Sequence, residues 1–127
     1  MMIKFTKILS VCLLTISVIT SCHQTQKFDR EKWNSGDGLD YPMRDDIVDD
    51  LVHNHKLKGL KYWGVIHLLK YPQSRDSVSF SYQIISTYTN TFKHNHVKNL
   101  VLYMGKDSII NKVEVYDNKA KVKSVLY

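Results

Sequence analysis

Apolar residues recur at helical spacing in two segments of the chain. The members are Ile47, Val48, Leu51 and Val52 in the first segment and Tyr62, Val65, Ile66 and Leu69 in the second. Each set places one apolar stripe along a helix, which is typical of a helix that packs on a core. We expect the first helix to begin near Tyr41–Pro42 and the second to run from Lys61 to Lys70, where Pro72 stops it.

After Pro72 the apolar residues alternate with polar ones, which is typical of strands with one buried face. The clearest alternation has Val78, Phe80, Tyr82 and Ile84 on one side. Ser86 to His96 is polar and loop-like, Val97 to Met104 and Ile109 to Tyr116 are two further predicted strands, and Lys121 to Tyr127 is an open candidate for an edge strand. This order predicts an α+β domain with two N-terminal helices packed on one face of a three- to four-stranded antiparallel sheet.

The beginning of the chain has the pattern of an export signal. A positively charged start precedes an apolar stretch, Ile8 to Ile19, which is shorter than the ~20 residues of a membrane-spanning helix. Ile19-Thr20-Ser21-Cys22 comes next and resembles the bacterial lipobox. The resemblance implies cleavage between Ser21 and Cys22 and acylation of Cys22, which would hold the chain stably on a membrane lipid surface. An ordinary cleaved signal and a retained anchor helix are the alternatives.

These boundaries divide the chain into three parts. Residues 1–21 are the predicted signal peptide, residues 22–40 a lipidated cysteine with a flexible tether, and residues 41–127 a single α+β domain. The tether is polar and contains two glycines, which is typical of a flexible linker. Phe28 and Trp33 are exceptions, and we expect them to pack back onto the domain.

Composition narrows the range of partners. The chain has 127 residues and a formal net charge of +6, of which Lys4 and Lys7 contribute two charges that leave with the signal peptide. The remaining lysines are spread along the sequence, so we expect a solvated surface and no nucleic-acid site. The two cysteines are Cys12 and Cys22, and the domain itself therefore has no intramolecular disulfide available.

The helical half of the domain resembles a known family. Its pattern is Arg44-x-x-Ile47-Val48-x-Asp50-Leu51-Val52, then Leu57-x-Gly59, then Val65-x-x-Leu68-Leu69 and Pro72. It looks like the helix–turn–helix half of small envelope lipoproteins with the SmpA/OmlA-like fold, which is shared by the small lipoprotein of the β-barrel assembly machinery and by β-lactamase inhibitory protein. Uncharacterised lipoproteins of Bacteroidetes are similar, and they also carry a Phe-x-x-x-x-Trp segment before the first helix. The resemblance implies an outer-membrane anchor, and the lack of an acidic run after Cys22 favours a periplasm-facing domain.

The sequence departs from that family around the second helix. Lys61 and Gly64 stand where such proteins usually carry a Ser/Thr-x-x-Glu capping box, and a lost cap typically costs about 0.5–2 kcal/mol. Lys70 stands where a glycine usually precedes the proline, and a lysine is strained in a left-handed conformation. We therefore expect a frayed or shortened second helix.

The chain has six histidines, which raises the question of metal binding. His94 and His96 would point to one side of an extended segment, an arrangement that suits a weak transition-metal site. No carboxylate or thiol adjoins them in the sequence, so we expect exposed loop histidines and neither a resident metal nor a cofactor. The chain has no nucleophile elbow and no glycine-rich phosphate loop, and we therefore expect no enzymatic activity.

Four aromatic residues are predicted to lie outside the core: Tyr88, Phe92, Tyr103 and Tyr116. Exposed aromatic side chains often mark protein contacts, although aromatic pairs across strands also stabilise sheets. The leading hypothesis is a membrane-tethered protein-binding or scaffold domain that contacts another envelope protein. A small-ligand or metal-binding lipoprotein that uses His94 and His96 is the second hypothesis. An inhibitor-like module, suggested by the shared fold, is the third.

Overall fold

The computed structural model describes residues 25–119 and 124–127, and in it the helices precede all the strands. The helices are α1 (Arg30–Asn34), α2 (Arg44–Asn54) and α3 (Tyr62–Leu69). The strands are β1 (Ser74–Arg75), β2 (Ser79–Tyr88), β3 (His94–Met104), β4 (Ile110–Asp117) and β5 (Ser124–Leu126). Neighbouring strands pair antiparallel in chain order, from β1 at one edge to β5 at the other. The predicted α+β class with an antiparallel sheet is confirmed, whereas Ser21, Cys22 and the predicted signal peptide lie outside the described residues.

Alternate residues of the three long strands are buried together with residues from all three helices. The buried apolar residues are Trp33, Ile47, Val48, Leu51, Leu57, Tyr62, Val65, Ile66, Leu69, Phe80, Tyr82, Ile84, Leu100, Leu102, Met104, Ile110, Val113 and Val115. They form one cluster, and removing this apolar surface from water is the main force that stabilises the fold. Every residue of the two predicted apolar helix stripes belongs to it except Val52, which packs against it partly buried.

The β2–β3 hairpin is longer than its polar sequence suggests. Because β2 continues to Tyr88 and β3 begins at His94, the loop predicted over Ser86 to His96 is reduced to a turn at residues 89–93. Backbone N–H and C=O groups pair without regard to the polarity of the side chains, so polar residues can extend both strands. Val78, predicted to be an inward strand residue, instead precedes β2 and is exposed.

Each edge of the sheet carries a short strand. The two-residue β1 has no counterpart among the predicted strands, and β5 occupies part of the open candidate Lys121 to Tyr127. β5 pairs with β4 through Val125 and Val115. Short edge strands offer few unpaired backbone groups to another sheet, which limits aggregation.

The segment predicted to be a flexible tether contains α1 and a core residue. Trp33 is fully buried, and its ring lies 5.9 Å from that of Tyr82, measured between centroids. Just before the helix, the backbone N–H of Phe28 donates to Asp50 Oδ2 at 2.7 Å and is the main cause of a lowered pKa of Asp50. The expected packing of Phe28 and Trp33 is confirmed. It corrects the tether prediction for residues 22–40, because burial of these rings binds part of that segment to the domain.

The second predicted helix, α3, is well formed, so the expectation that it is frayed or shortened is wrong. A residue far along the chain replaces the missing cap at its N-terminus, because the N–H of Tyr62 donates to the carbonyl of Ser108 at 2.8 Å. A backbone carbonyl from the β3–β4 turn thereby satisfies a donor that a capping side chain would otherwise serve. At the other end, Lys70 adopts a φ of 62°, and its carbonyl accepts the hydroxyl of Tyr82 at 2.7 Å.

A candidate binding surface on the outer face of the sheet

β2, β3 and β4 carry a second set of side chains, between those of the core, which we call the outer face. Across the strands they lie in three rows: Ser79, Tyr103 and Lys112; Ser81, Val101 and Glu114; Gln83, Asn99 and Tyr116. All of these residues are partly exposed. This mixture of hydroxyl, amide, charged and aromatic groups is compatible with a non-obligate protein interface, which is about as polar as the rest of a protein surface.

A groove with a volume of ≈ 390 Å³ lies along part of this outer face. Its lining consists of Gln73, Ser74, Ser81, Gln83, Ser86, Tyr88, Val97 and Asn99. Most of these side chains end in a hydroxyl or an amide, which can donate or accept a hydrogen bond. The groove can therefore bind the polar groups of a partner while Tyr88 and Val97 contribute apolar contact.

A buried arginine fixes the wall of this groove. Arg44 is 2% exposed. Its Nε donates to the carbonyl of Trp33 at 2.8 Å, and one terminal nitrogen donates at 2.7 Å to both Gln73 Oε1 and the carbonyl of Gln83. The guanidinium carbon lies 3.6 Å from the centroid of the Tyr41 ring. Burial lowers the pKa of Arg44 to about 10, so this buried group is still a cation at neutral pH.

In the sequence, Arg44 is one position of the family pattern, and nothing around it indicates this role. Gln73 Oε1 also accepts the backbone N–H of Gln83 at 2.9 Å, so Arg44 orients two groove residues through the same amide. Its partners come from α1, the β1 region and β2, which are far apart in the sequence. Apolar spacing carries no signal for such a cation, because its environment exists only after the chain has folded.

Two of the four predicted surface aromatics, Tyr103 and Tyr116, lie on the outer face. The Tyr103 hydroxyl donates to Glu114 Oε2 at 3.3 Å, and Lys112 Nζ lies 4.5 Å from the centroid of its ring. Lys112 and Glu114 also form an ion pair, at 3.6 Å. Tyr103 is therefore engaged in cross-strand contacts, which is the stabilising alternative that the sequence left open.

The other two, Tyr88 and Phe92, lie at the β2–β3 hairpin. Tyr88 is 58% exposed and Phe92 is 89% exposed. Phe92 has a φ of 60°, and its N–H donates to the carbonyl of Thr89 at 3.0 Å. A left-handed backbone costs about 1–2 kcal/mol at a residue other than glycine, so this turn holds a large ring in water at an energetic cost. Strain of this kind concentrates at functional sites.

α3 presents an exposed aromatic residue that the predicted surface did not include. Trp63 is 66% exposed, and its ring meets that of Tyr62 edge-on with a centroid distance of 5.3 Å. The helical spacing of Tyr62, Val65, Ile66 and Leu69 places Trp63 off the buried stripe. The signal for its exposure was therefore present in the sequence.

His96 lies beside a carboxylate from the neighbouring strand, with 2.9 Å between its Nε2 and Asp117 Oδ1. This corrects the expectation that no carboxylate adjoins the His94–His96 pair, because strand pairing brings together residues that are distant in the sequence. Burial raises the pKa of Asp117, but hydrogen bonds from Lys119 N–H and His96 outweigh it and lower the pKa overall. Within residues 25–119 and 124–127, no group of three or more His, Cys, Asp or Glu side chains is placed to hold a metal ion. The side chain of His94 is outside the described part of the structure.

No protein-family model matches the chain, and neither a curated protein nor a solved structure matches it. The resemblance to SmpA/OmlA-like lipoproteins therefore stays a prediction from the sequence. Among the residues described, no helix combines the length and the apolar character needed to cross a bilayer.

Proposed function

We propose that this chain is a non-enzymatic lipoprotein of the bacterial envelope whose domain binds another envelope protein. Cleavage after Ser21 would leave Cys22 as the acylated first residue, anchored in the outer membrane with the domain facing the periplasm. The support for the anchor is the short apolar stretch that ends in Ile19-Thr20-Ser21-Cys22. Attachment of this kind keeps a domain without a spanning helix at the membrane.

In this proposal α2 and α3 cover one face of the sheet and leave the outer face for the partner. Buried residues of both helices share one cluster with the inward residues of β2, β3 and β4, and the rings of Tyr62 and Phe80 meet at a centroid distance of 5.1 Å. The residues of the outer face are all partly exposed. A sheet with one covered face and one accessible face is the two-layer arrangement expected of an α+β domain.

The observation that carries the proposal is the exposure of Phe92. Its ring is almost fully in water and its backbone is strained, so packing within the domain does not explain why a phenylalanine stands there. Exposed aromatic residues that become buried on association often supply much of the binding energy. Tyr88 and the polar groove would continue the contact along the outer face.

Photo-crosslinking in cells tests this proposal. A photoreactive phenylalanine analogue at Phe92 should give one adduct of defined mass in the membrane fraction. The same analogue at Trp63, which is also exposed but lies on α3, is the matched control and should give no such adduct. Equal adducts from both positions, or none from Phe92, would contradict the proposed surface. Failure of the wild-type chain to incorporate labelled palmitate would contradict the anchor.

A further inference from the structure

Thr25, three residues after Cys22, lies in a cleft at the carboxyl end of α2. Thr25 lines this cleft with Asp49, Asp50, His53, Asn54 and Tyr127. Tyr127 follows β5, and its N–H donates to the carbonyl of Val113 at 2.9 Å. Thr25 therefore lies beside the β5 edge of the sheet.

This position is tied to the proposed anchor by the length of the chain between them. Cys22 precedes Thr25 by three residues, which span at most ~11 Å when fully extended. If acyl chains are attached at Cys22, the lipid headgroups must lie within about that distance of Thr25. The tether length alone therefore holds the end of the domain around Thr25 close to the bilayer.

The same end of the domain presents cationic side chains. Lys56 and Lys58 line a cleft of ≈ 300 Å³ together with His53, His55 and Tyr127. Both lysines are exposed, and neither takes part in the ion pairs found among the described residues. Lys27, two residues after Thr25, is exposed as well.

The acidic residues at this end are in part engaged by the protein. Asp50 accepts the N–H of Phe28 at 2.7 Å and the side-chain amide of Asn54 at 2.6 Å. Asp49 is partly buried beside Tyr127. Asp46, whose carbonyl accepts the N–H of Gln26, also lies at this end and is partly buried. The three lysines are exposed, so they are more accessible to a charged surface than these three carboxylates.

We propose that this surface, made of Lys27, Lys56 and Lys58 around the start of the domain, rests on anionic lipid headgroups. The inference rests on the proposed acylation of Cys22 and adds an orientation to it. Each lysine near an anionic membrane surface increases the equilibrium constant for binding to that surface about fivefold. β1 is at the opposite edge of the five-stranded sheet. Because strands are spaced ~4.8 Å apart, β1 lies ~19 Å from the anchored β5 edge, and it would therefore stand further from the bilayer.

Energy transfer from the domain to the bilayer tests this orientation. The full-length acylated protein would be reconstituted into phosphatidylcholine vesicles with and without phosphatidylglycerol, with an acceptor dye on the headgroups. A donor dye would be attached to a cysteine introduced as Asn54→Cys, beside the lysines, or as Ser74→Cys, in β1. We expect the donor at position 54 to lie closer to the headgroups than the donor at position 74, and phosphatidylglycerol to increase the difference.

Charge reversal separates lipid attraction from simple tethering. The anchored domain can rest on the headgroups or be held by its acyl chains alone. The double substitution Lys56→Glu with Lys58→Glu should shift this equilibrium away from the headgroup-bound state by about 25-fold or more. It should also abolish the effect of phosphatidylglycerol. Lys93→Glu, on the exposed β2–β3 turn, is the matched control and should leave that effect in place. Two results with anchored protein would overturn the inference and leave the anchor standing. One is a donor at position 54 that lies no closer to the headgroups than the donor at position 74. The other is a double reversal that has no effect. A mature chain without acyl mass on Cys22 that stays off the vesicles would overturn the proposed anchor and the inference with it.

Discussion

Two tyrosines on opposite faces of the sheet show how differently its two sides are stabilised. Tyr82 is fully buried among core residues, its hydroxyl donates to the carbonyl of Lys70 at 2.7 Å, and burial raises its pKa well above the ordinary value. Tyr103 is partly exposed, and its hydroxyl reaches the carboxylate of Glu114 at 3.3 Å. Packing determines which residue fits on the covered face, whereas the outer face tolerates a wider choice. Residues on the outer face can therefore be selected for binding.

The largest expected effect comes from truncating neighbouring residues of β3 that point to opposite faces. Leu102 is fully buried in the core, while Val101 is partly exposed on the outer face. Leu102→Ala should lower the free energy of unfolding by about 3–5 kcal/mol because it leaves a cavity, and Val101→Ala should lower it by less than about 1 kcal/mol. Urea denaturation of both variants measures the difference. Equal losses would show that the outer face is covered as well.

The second prediction concerns Arg44, which connects the covered side of the molecule to the groove. Arg44→Met keeps an unbranched side chain of similar length but removes the donors to Trp33, Gln73 and Gln83. Buried acceptors that lose their partners cost about 1–3 kcal/mol each and do not add fully, so we expect about 3 kcal/mol of destabilisation, measured by urea denaturation.

The control for this prediction is Arg44→Lys, which keeps the charge but has no planar fork of donors. We expect its stability to fall between those of the wild type and the methionine variant. A methionine variant as stable as the wild type would show that stacking on Tyr41 and apolar packing hold this region, with little help from the hydrogen bonds.

How far the sequence predicts this fold depends on whether the decisive interaction is local. The alternation around Phe80 and Tyr82 depends on a two-residue period, and it correctly identifies the covered face of β2. The state of α3 depends on the carbonyl of Ser108, which lies far along the chain, so local capping signals predicted a frayed helix that does not occur. Long-range backbone partners have no counterpart in sequence spacing.

For the candidate surface too, the sequence predicts local features and misses those that depend on distant residues. The exposure of Tyr88 and Phe92 follows from a break in the apolar pattern, and the sequence predicts it. The contacts of Tyr103 with Glu114 and Lys112 depend on the register of β3 with β4, and the sequence only left them open as an alternative. The environment of Arg44 requires three separated segments to come together, and no local pattern reveals it.

The smallest effect, and the one of opposite sign, is expected at Phe92. Glycine adopts a positive φ without the penalty of about 1–2 kcal/mol that other residues meet, but it also loses more conformational entropy on folding, by roughly 0.5–1 kcal/mol. Since the Phe92 ring is 89% exposed and contributes little packing, Phe92→Gly should raise the free energy of unfolding by about 0.5–1 kcal/mol. The same substitution should weaken binding of the partner. Urea denaturation measures the gain in stability, and crosslinking from a photoreactive residue at position 88 measures the loss of binding. A variant that is less stable than the wild type would show that the ring packs on the domain, and it would remove the reason to regard the hairpin tip as a binding element.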